Sequence, residues 1–223
     1  CALPISDLNV ALYGLHGDAP HLVLGALDHA DCILTTEWSV RLAEALQTVS
    51  VVLTDQNLAQ SRVIIPKPEY ELPAIPARLT AEPSDHYQRY RLTDSGVSPM
   101  AIPGTASAMY VADGLEHCEN AKPSSAAADH KAQLDKRWRK IRDFDYGDCW
   151  ADVSGQGETA IITWGSSTAV VREAASRLRH VGEEIKVIAI RLLLPASPEQ
   201  LAAELNGIQR VLIVEQSHSR QFH

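Results

Sequence analysis

AIITWGSSTAVVREAASRLRHVGEEIKVIAIRLLLPASPEQLAAELNGIQRVLIVE, residues 160–215, alternates strand and helix patterns. It opens on an apolar strand, Ala160 to Trp164, that stops at Gly165. Ser166 or Ser167 is placed to cap the helix that follows. The buried stripe of that helix is Val171, Ala174, Ala175 and Leu178, and Gly182 fits the position just past its end. KVIAIRLLL at 186–194 reads as the next strand. Ser197-Pro198-Glu199-Gln200 reads as a capping box with Pro at the first helical position, and Asn206-Gly207 ends that helix. RVLIVE at 210–215 is a third strand. Alternation of this kind folds as a small parallel sheet with right-handed crossovers.

Working outward, Asp, Gly and Ser cluster over 144–158, where a boundary is expected. Before it, a long helix spans roughly 124–142, with Ser125 as its expected cap and a basic second half (Lys136, Arg137, Arg139, Lys140, Arg142). Cations near a helix C-terminus favour its dipole, so a solvated helix end competes evenly with a binding role. Five prolines between Pro66 and Pro83 exclude helix and central strand there and predict an extended connector. The first 65 residues pattern as a second strand-helix-strand unit. His21–Ala26 and Ser50–Thr54 are the strands. Between them lies a helix carrying Leu34, Trp38, Leu42 and Leu46, with Asp28 as its cap. The fold class is therefore α/β, in three stretches: 1–65, 66–150 and 151–223.

The chain has 223 residues, is 45% hydrophobic and carries a net charge of -8. That composition fills a core, and the acidity argues against nucleic-acid or anionic-membrane partners. No apolar run approaches the ~20 residues of a membrane span. Cys1, Cys32, Cys118 and Cys149 form no CxxC pair, so they read as unpaired thiols of a reducing cytoplasm rather than as metal ligands.

Four places attract chemical interest. His16, Gly17 and Asp18 sit in a loop after a helix end, where a His is reachable by an anionic substrate, although an ordinary surface His reads as well. Asp55 and Gln56 follow a strand directly, and ligands of parallel sheets gather at strand carboxyl ends; capping the next turn is the competing role. Gly165-Ser166 opens a helix whose free amides attract anions, but the pattern is neither GxGxxG nor a P-loop, so a tight turn with serine caps is favoured. Gly114, Glu116 and His117 form the most distinctive short string, yet no second His follows at metal-binding spacing, and no metal site is expected.

Read together, several strings resemble the α subunit of the 2-oxoacid:ferredoxin (acceptor) oxidoreductases, of the 2-oxoglutarate type. They are LYGLHGDAP at 12–20, VVLTDQNLA at 51–59, DSGVSPMAIPGT at 94–105, DGLEHCENAKPSS at 113–125, KRWRKI at 136–141, WGSSTAVVREA at 164–174 and VLIVEQSHSRQ at 211–221. They run through nearly the whole chain in the family's order. Departures stand at Cys118 and Ala121, where the family pattern has Asp and Gly, and at Arg220, where it commonly has Gly.

The resemblance implies that residues 1–65 are the latter part of a thiamine-diphosphate pyrimidine-type domain. It implies that 151–223 is an incomplete transketolase-C-terminal-like parallel α/β domain. It implies oxidative decarboxylation of a 2-oxoacid with coenzyme A, giving acyl-CoA and reduced ferredoxin. Thiamine diphosphate and Mg2+ would be held mainly by a β subunit and a [4Fe-4S] cluster by a partner, in a cytoplasmic hetero-oligomer. The family's catalytic residues would lie upstream, leaving His16, Gly17 and Asp18 as substrate-side candidates. Asp55, Gln56, Gly114, Glu116, His117, Lys136, Arg137, Gly165 and Ser166 would stand at strand ends or subunit contacts. Another thiamine enzyme sharing the last domain, or a non-catalytic scaffold subunit, are the competing readings. Both ends read as truncated: CALPIS at 1–6 matches a translated sequencing adapter, TGTGCTCTTCCGATCT, and is expected not to be natural. Resequencing the locus and finding those codons would refute this.

Overall fold

The computed structural model describes residues 7–223, so the expectation about residues 1–6 lies outside the described residues. The chain begins with α1 (Asp7–Tyr13), β1 (Leu22–Gly25), α2 (Asp31–Leu46), β2 (Ser50–Leu53) and α3 (Gln56–Gln60). β1 and β2 pair in parallel, as the strand-helix-strand pattern predicts. Trp38, Leu42 and Leu46 are buried on the sheet side of α2. Asp28 accepts a hydrogen bond from the Asp31 amide at its start.

Residues 61–126 run as extended segments and turns, crossed only by isolated bridges among the described residues (Thr80 to Met100, His117 to Pro123). α4 (Ala127–Arg142) follows. The expected Ser125 cap does not form: Ala126 is the N-cap and no side chain caps the helix, while the Ser124 hydroxyl accepts from the Ala126 amide and donates to Asp129 just ahead of it. A 3-10 turn at Gly147–Trp150 leads to β3 (Ala151–Ser154), β4 (Thr159–Thr163), α5 (Ser167–His180), β5 (Ile185–Ile190), β6 (Leu192–Leu194), α6 (Pro198–Glu204) and β7 (Arg210–Val214).

β4 pairs in parallel with both β5 and β7, while β3 runs antiparallel to β5, in the order β3-β5-β4-β7. β3 lies inside the stretch 144–158, where a boundary is expected. Only Ala151 of its four residues is buried, so it shows no alternation to read.

The run KVIAIRLLL is not one strand. It breaks at Arg191, whose buried guanidinium donates to Asp31 through Nε and Nη2 at 3.0 and 2.6 Å and to the Cys149 carbonyl at 2.6 Å. A buried cation must be paired, and here its acid stands 160 positions away. Beyond it β6 leaves the second sheet and pairs antiparallel with β1, on the side opposite β2.

The Ser197 capping box also fails to form: Ser197 makes no side-chain cap, and Gln200 reaches the Gly147 carbonyl instead, although Pro198 does begin α6.

One core therefore serves both sheets. Leu22, Leu24 and Leu192 of the first sheet meet Trp38 and Leu42, then Ile141, Trp150, Ile162 and Ile188. Tyr146 stands edge-on to Trp38 at 6.4 Å between rings and donates to the Ile141 carbonyl. A smaller cluster, Ile161, Val171, Ala175, Ile185 and Val187, seats α5 on the second sheet.

Candidate functional site

A cavity of about 490 Å3 opens between the loop after α1, the end of α2, the segment 89–98 and α4. His16, Arg89, Tyr90, Lys136, Arg137 and Lys140 line it. Lys136, Arg137 and Lys140 share one side because residues four apart on a helix lie one above the other. The segment 89–98 is held against α4 by Gly96, whose φ of +76° is the left-handed region. A Cβ there would come within 2.6 Å of the Lys136 carbonyl and 2.8 Å of the Lys140 amide nitrogen. Only glycine permits this approach.

The cations of the cavity have mostly neutral partners. Lys136 is 5% exposed, and its ammonium donates to the Tyr90 carbonyl at 2.9 Å and to the Ser98 hydroxyl at 3.1 Å. That hydroxyl in turn donates to the Arg91 carbonyl, so both its roles are taken. Lys140 donates to the Gln47 carbonyl at 2.9 Å. Arg89 lies over the Tyr90 and Tyr110 rings, 5.3 and 5.6 Å from their centroids, and its buried Nε has no hydrogen-bond partner among the described residues. Burial, with the added repulsion of Arg137 and Arg89, lowers the Lys136 ammonium to about 8. Burial, with Lys136, Arg137 and Arg89 nearby, lowers Lys140 to about 7. Such a concentration of positive charge attracts anions.

Among the described residues, Arg137 alone of these is ion-paired. It forms a fork to both Glu116 oxygens at 3.0 and 2.6 Å, and His130 adds a third contact at 3.0 Å. Burial opposes ionisation of Glu116, but the Arg137, His117-amide and His130 hydrogen bonds outweigh it and hold its carboxyl below the usual range. His117 is buried and stacks on Tyr90 at 5.0 Å. Its Nε2 lies 3.2 Å from an Asp113 oxygen, but off the line of a hydrogen bond. Thus Glu116, His117, Lys136 and Arg137 form one assembly behind the cavity. His16 reaches its rim. Gly17 and Asp18 are exposed on the same loop without lining it, and Gly114 sits in an exposed turn.

A second junction joins the two sheets. Asp55 caps α3 by accepting from the Leu58 amide at 3.0 Å, and its other oxygen accepts from the Ser166 amide at 2.9 Å. Burial would raise its pKa, but the bonds from Ser166, Leu58 and Asn57 bring the net shift below the usual value. The start of α5 is thus already occupied by a carboxylate. Gly165 takes the left-handed turn this needs (φ +66°), and the Ser166 hydroxyl accepts from Gln216. The glycine turn matches the expectation, but the serine caps do not form: Ser166 makes no side-chain cap at the start of α5, and the Ser167 hydroxyl donates to the Trp164 carbonyl instead. The Gln56 side chain donates to Gln60 at 3.0 Å.

Arg89, Tyr90 and Ser98 escaped sequence reasoning. They sit in coil without periodicity, and only their packing on α4 makes them part of a site. Lys140 carried a signal, four positions from Lys136. Among the described residues no group of three His, Cys, Asp or Glu is placed to hold a metal ion, and no helix is long and apolar enough to cross a membrane. With the Ser166 amide already held by Asp55, the start of α5 does not fit a diphosphate bridged through Mg2+.

No family model matches the chain. It is 29% identical over 230 residues to the α subunit of 2-oxoacid:ferredoxin oxidoreductase 1 of Sulfurisphaera tokodaii, covering 97% of this chain and 35% of that protein. It is 30% identical over 214 residues to 2-oxoglutarate oxidoreductase subunit KorA of Mycobacterium tuberculosis, covering 94% of this chain and 32% of that one. The chain thus spans about a third of the length of the curated relatives it matches. Among solved structures, a 2-oxoglutarate:ferredoxin oxidoreductase from Magnetococcus marinus, with 2-oxoglutarate, coenzyme A and succinyl-CoA bound, superposes with a TM-score of 0.82. It is 37% identical, over 97% of this chain and 39% of that one. Ala121 and Arg220, where the resemblance expects glycine, adopt left-handed φ values of 67° and 56°. In sequence and in fold, this chain is a homologue of part of the α subunit of 2-oxoacid:ferredoxin oxidoreductases.

Proposed function

We propose that the chain is a portion of an α subunit whose complete enzyme oxidatively decarboxylates a 2-oxoacid. The 2-oxoacid and coenzyme A are consumed, the carboxylate leaves as CO2, the acyl group is joined to the thiol, and a pair of electrons passes to ferredoxin. The observation that carries this reading is the 0.82 TM-score at 37% identity over 97% of the chain to an enzyme of that name. 2-Oxoglutarate is the favoured substrate, since that neighbour has it bound and the tuberculosis relative is named for it.

Thiamine diphosphate supplies the means of cleaving the bond to the carboxylate. We assign its diphosphate and Mg2+ to a β subunit and the [4Fe-4S] cluster to a partner subunit. This chain's share is structural and electrostatic. In this reading residues 1–65 continue a pyrimidine-side domain, 66–150 form the connector and α4, and 151–223 belong to a transketolase-C-terminal-like domain. His16, at the cavity rim with Gly17 and Asp18 beside it, faces the substrate side. Glu116, His117 and Arg137 brace the connector against α4. Asp55, Gly165 and Ser166 lock the sheets together, with Gln56 at a subunit contact. The assembly is a cytoplasmic hetero-oligomer.

The test is co-expression of the full-length gene with its neighbouring subunit gene. Viologen reduction that requires both a 2-oxoacid and coenzyme A is the expected result. A stable complex inert toward 2-oxoglutarate, pyruvate and branched-chain oxoacids would sink the reading.

A further inference from the structure

We propose that Lys140 is a modification site: its side-chain amine takes up dissolved CO2 as a carbamate, an anion that neutralises Lys136 and Arg89 in the cavity beside α4. The proposal stands apart from the oxidoreductase reading, since CO2 is the only co-reactant.

Position singles out this lysine. Lys131 and Lys186 pair with Asp135 and Glu204, and Lys67 and Lys122 are exposed. Lys140 is half-buried and lines two cavities, the basic one and a second of about 320 Å3 between α2, the connector and the end of α4. Gly96 pins the start of its stem, because a Cβ there would come within 2.7 Å of the Lys140 Cβ. Leu46, Leu79 and Phe144 share the second cavity with it. The Lys140 Nζ donates to one acceptor, the Gln47 carbonyl, at 2.9 Å. Lys136 differs, since the Tyr90 carbonyl and the Ser98 hydroxyl together hold its ammonium.

Charge supplies the drive. Lys136, Arg137 and Arg89 line the same cavity, and among the described residues only Arg137 of the four cations has a carboxylate within 4.0 Å. Asp143 lines the second cavity, but Arg142 holds it at 2.6 Å. Cations crowded away from water favour releasing a proton, and lysine can release one where arginine cannot. The Lys140 ammonium is accordingly lowered to about 7, which frees the nucleophilic amine near neutral pH.

The step balances without a further reagent. The Nζ lone pair attacks the carbon of CO2, a C–N bond forms, and one C–O π pair moves onto oxygen. The surplus proton on nitrogen passes to water, and nothing is oxidised or reduced. The carbamate nitrogen keeps one N–H, which suffices for the Gln47 carbonyl. Its two oxygens gain the charge-assisted donors that the cavity offers. Three added atoms fit easily in about 490 Å3, since a water takes roughly 30 Å3 of liquid.

The test equilibrates the 223-residue chain with 13C-labelled bicarbonate at pH 8, traps carbamates with an alkylating oxonium salt, and maps the label by peptide mass spectrometry. Label on Lys140 is expected, with a matching carbamate carbon signal in the NMR spectrum before trapping. That signal should vanish in Lys140→Met and persist in Lys131→Gln. Arg89→Gln removes one facing cation and should lower the occupancy of Lys140 by about threefold or more. The proposal falls if Lys140 carries no label, or if label is confined to the α-amine of the chain or to Lys136. It also falls if Arg89→Gln, with native circular dichroism, keeps full occupancy. Mapping of the unmodified sequence decides by itself should a variant misfold.

Discussion

Lys140 shows how one side chain couples the site to stability. Its folded-state value, about 7, lies below the ordinary lysine value of 10.5, and so does that of Lys136, at about 8. Between those values and 10.5 the unfolded chain holds more protons than the folded one. Stability therefore rises with pH across that window and is at its lowest, with respect to these groups, below pH 7. The slope is at most about 1.4 kcal/mol per pH unit for each group. Urea melts at pH 7, 8 and 9 should show the rise, and Lys140→Met should flatten it while increasing stability at pH 7. A pH-independent midpoint in the unmodified chain would contradict the burial of these ammoniums. Gln47, Ser107, Ala121 and Arg220 bear backbone cost among the described residues, and the last two sit at φ 67° and 56°. Ala121→Gly and Arg220→Gly should each stabilise by about 1 kcal/mol, since a left-handed conformation costs a side-chain-bearing residue about 1–2 kcal/mol. Thermal melts of the two variants check this.

Gly96 and Arg191 act at the scale of elements, each fixing how two segments meet. Gly96→Ala places a Cβ against α4 backbone at a positive φ, so the segment 89–98 must move off the helix. A loss of about 2–3 kcal/mol is expected. Near-UV circular dichroism of Tyr90 and its neighbours should change with it. Arg191→Leu leaves Asp31 buried without its partner, for an expected loss of about 3–5 kcal/mol. Replacing Asp31 as well should recover part of that loss, and a double-mutant cycle from denaturant melts measures it. These two residues also mark what the sequence made legible. α2, β4, α5 and β7 announce themselves because apolar spacing is a local signal. The break at Arg191 is not local, because its cause is an acid in α2. The cavity was half legible: Lys136 and Arg137 stood out on a basic helix, and Glu116 and His117 in a distinctive string. Arg89 lay in aperiodic coil, where only tertiary packing gives a residue meaning.

For the whole molecule, the decisive fact is that Leu22, Trp38, Ile141, Ile162, Ile188 and Leu192 belong to one core. Calorimetry of the 223-residue chain should accordingly show a single cooperative unfolding transition, whereas two resolved transitions would mean the sheets are energetically separate. Residues 151–223 expressed alone should behave as a loosely packed species that binds a hydrophobic dye, because β6 would lose β1 and Ile188 its cover. A well-dispersed amide spectrum from that piece would overturn the shared-core account.

The pairing of β1 with β6 also bears on synthesis. The ribosome releases β1 and its parallel neighbour early, yet the strand completing the other side of β1 emerges some 170 residues later. At about 5–20 residues per second, that is a wait of roughly 10–30 s during which an apolar strand edge stands open. The nascent chain is thus exposed to mispairing for that whole interval, and chaperone demand during translation should track the distance between those two strands.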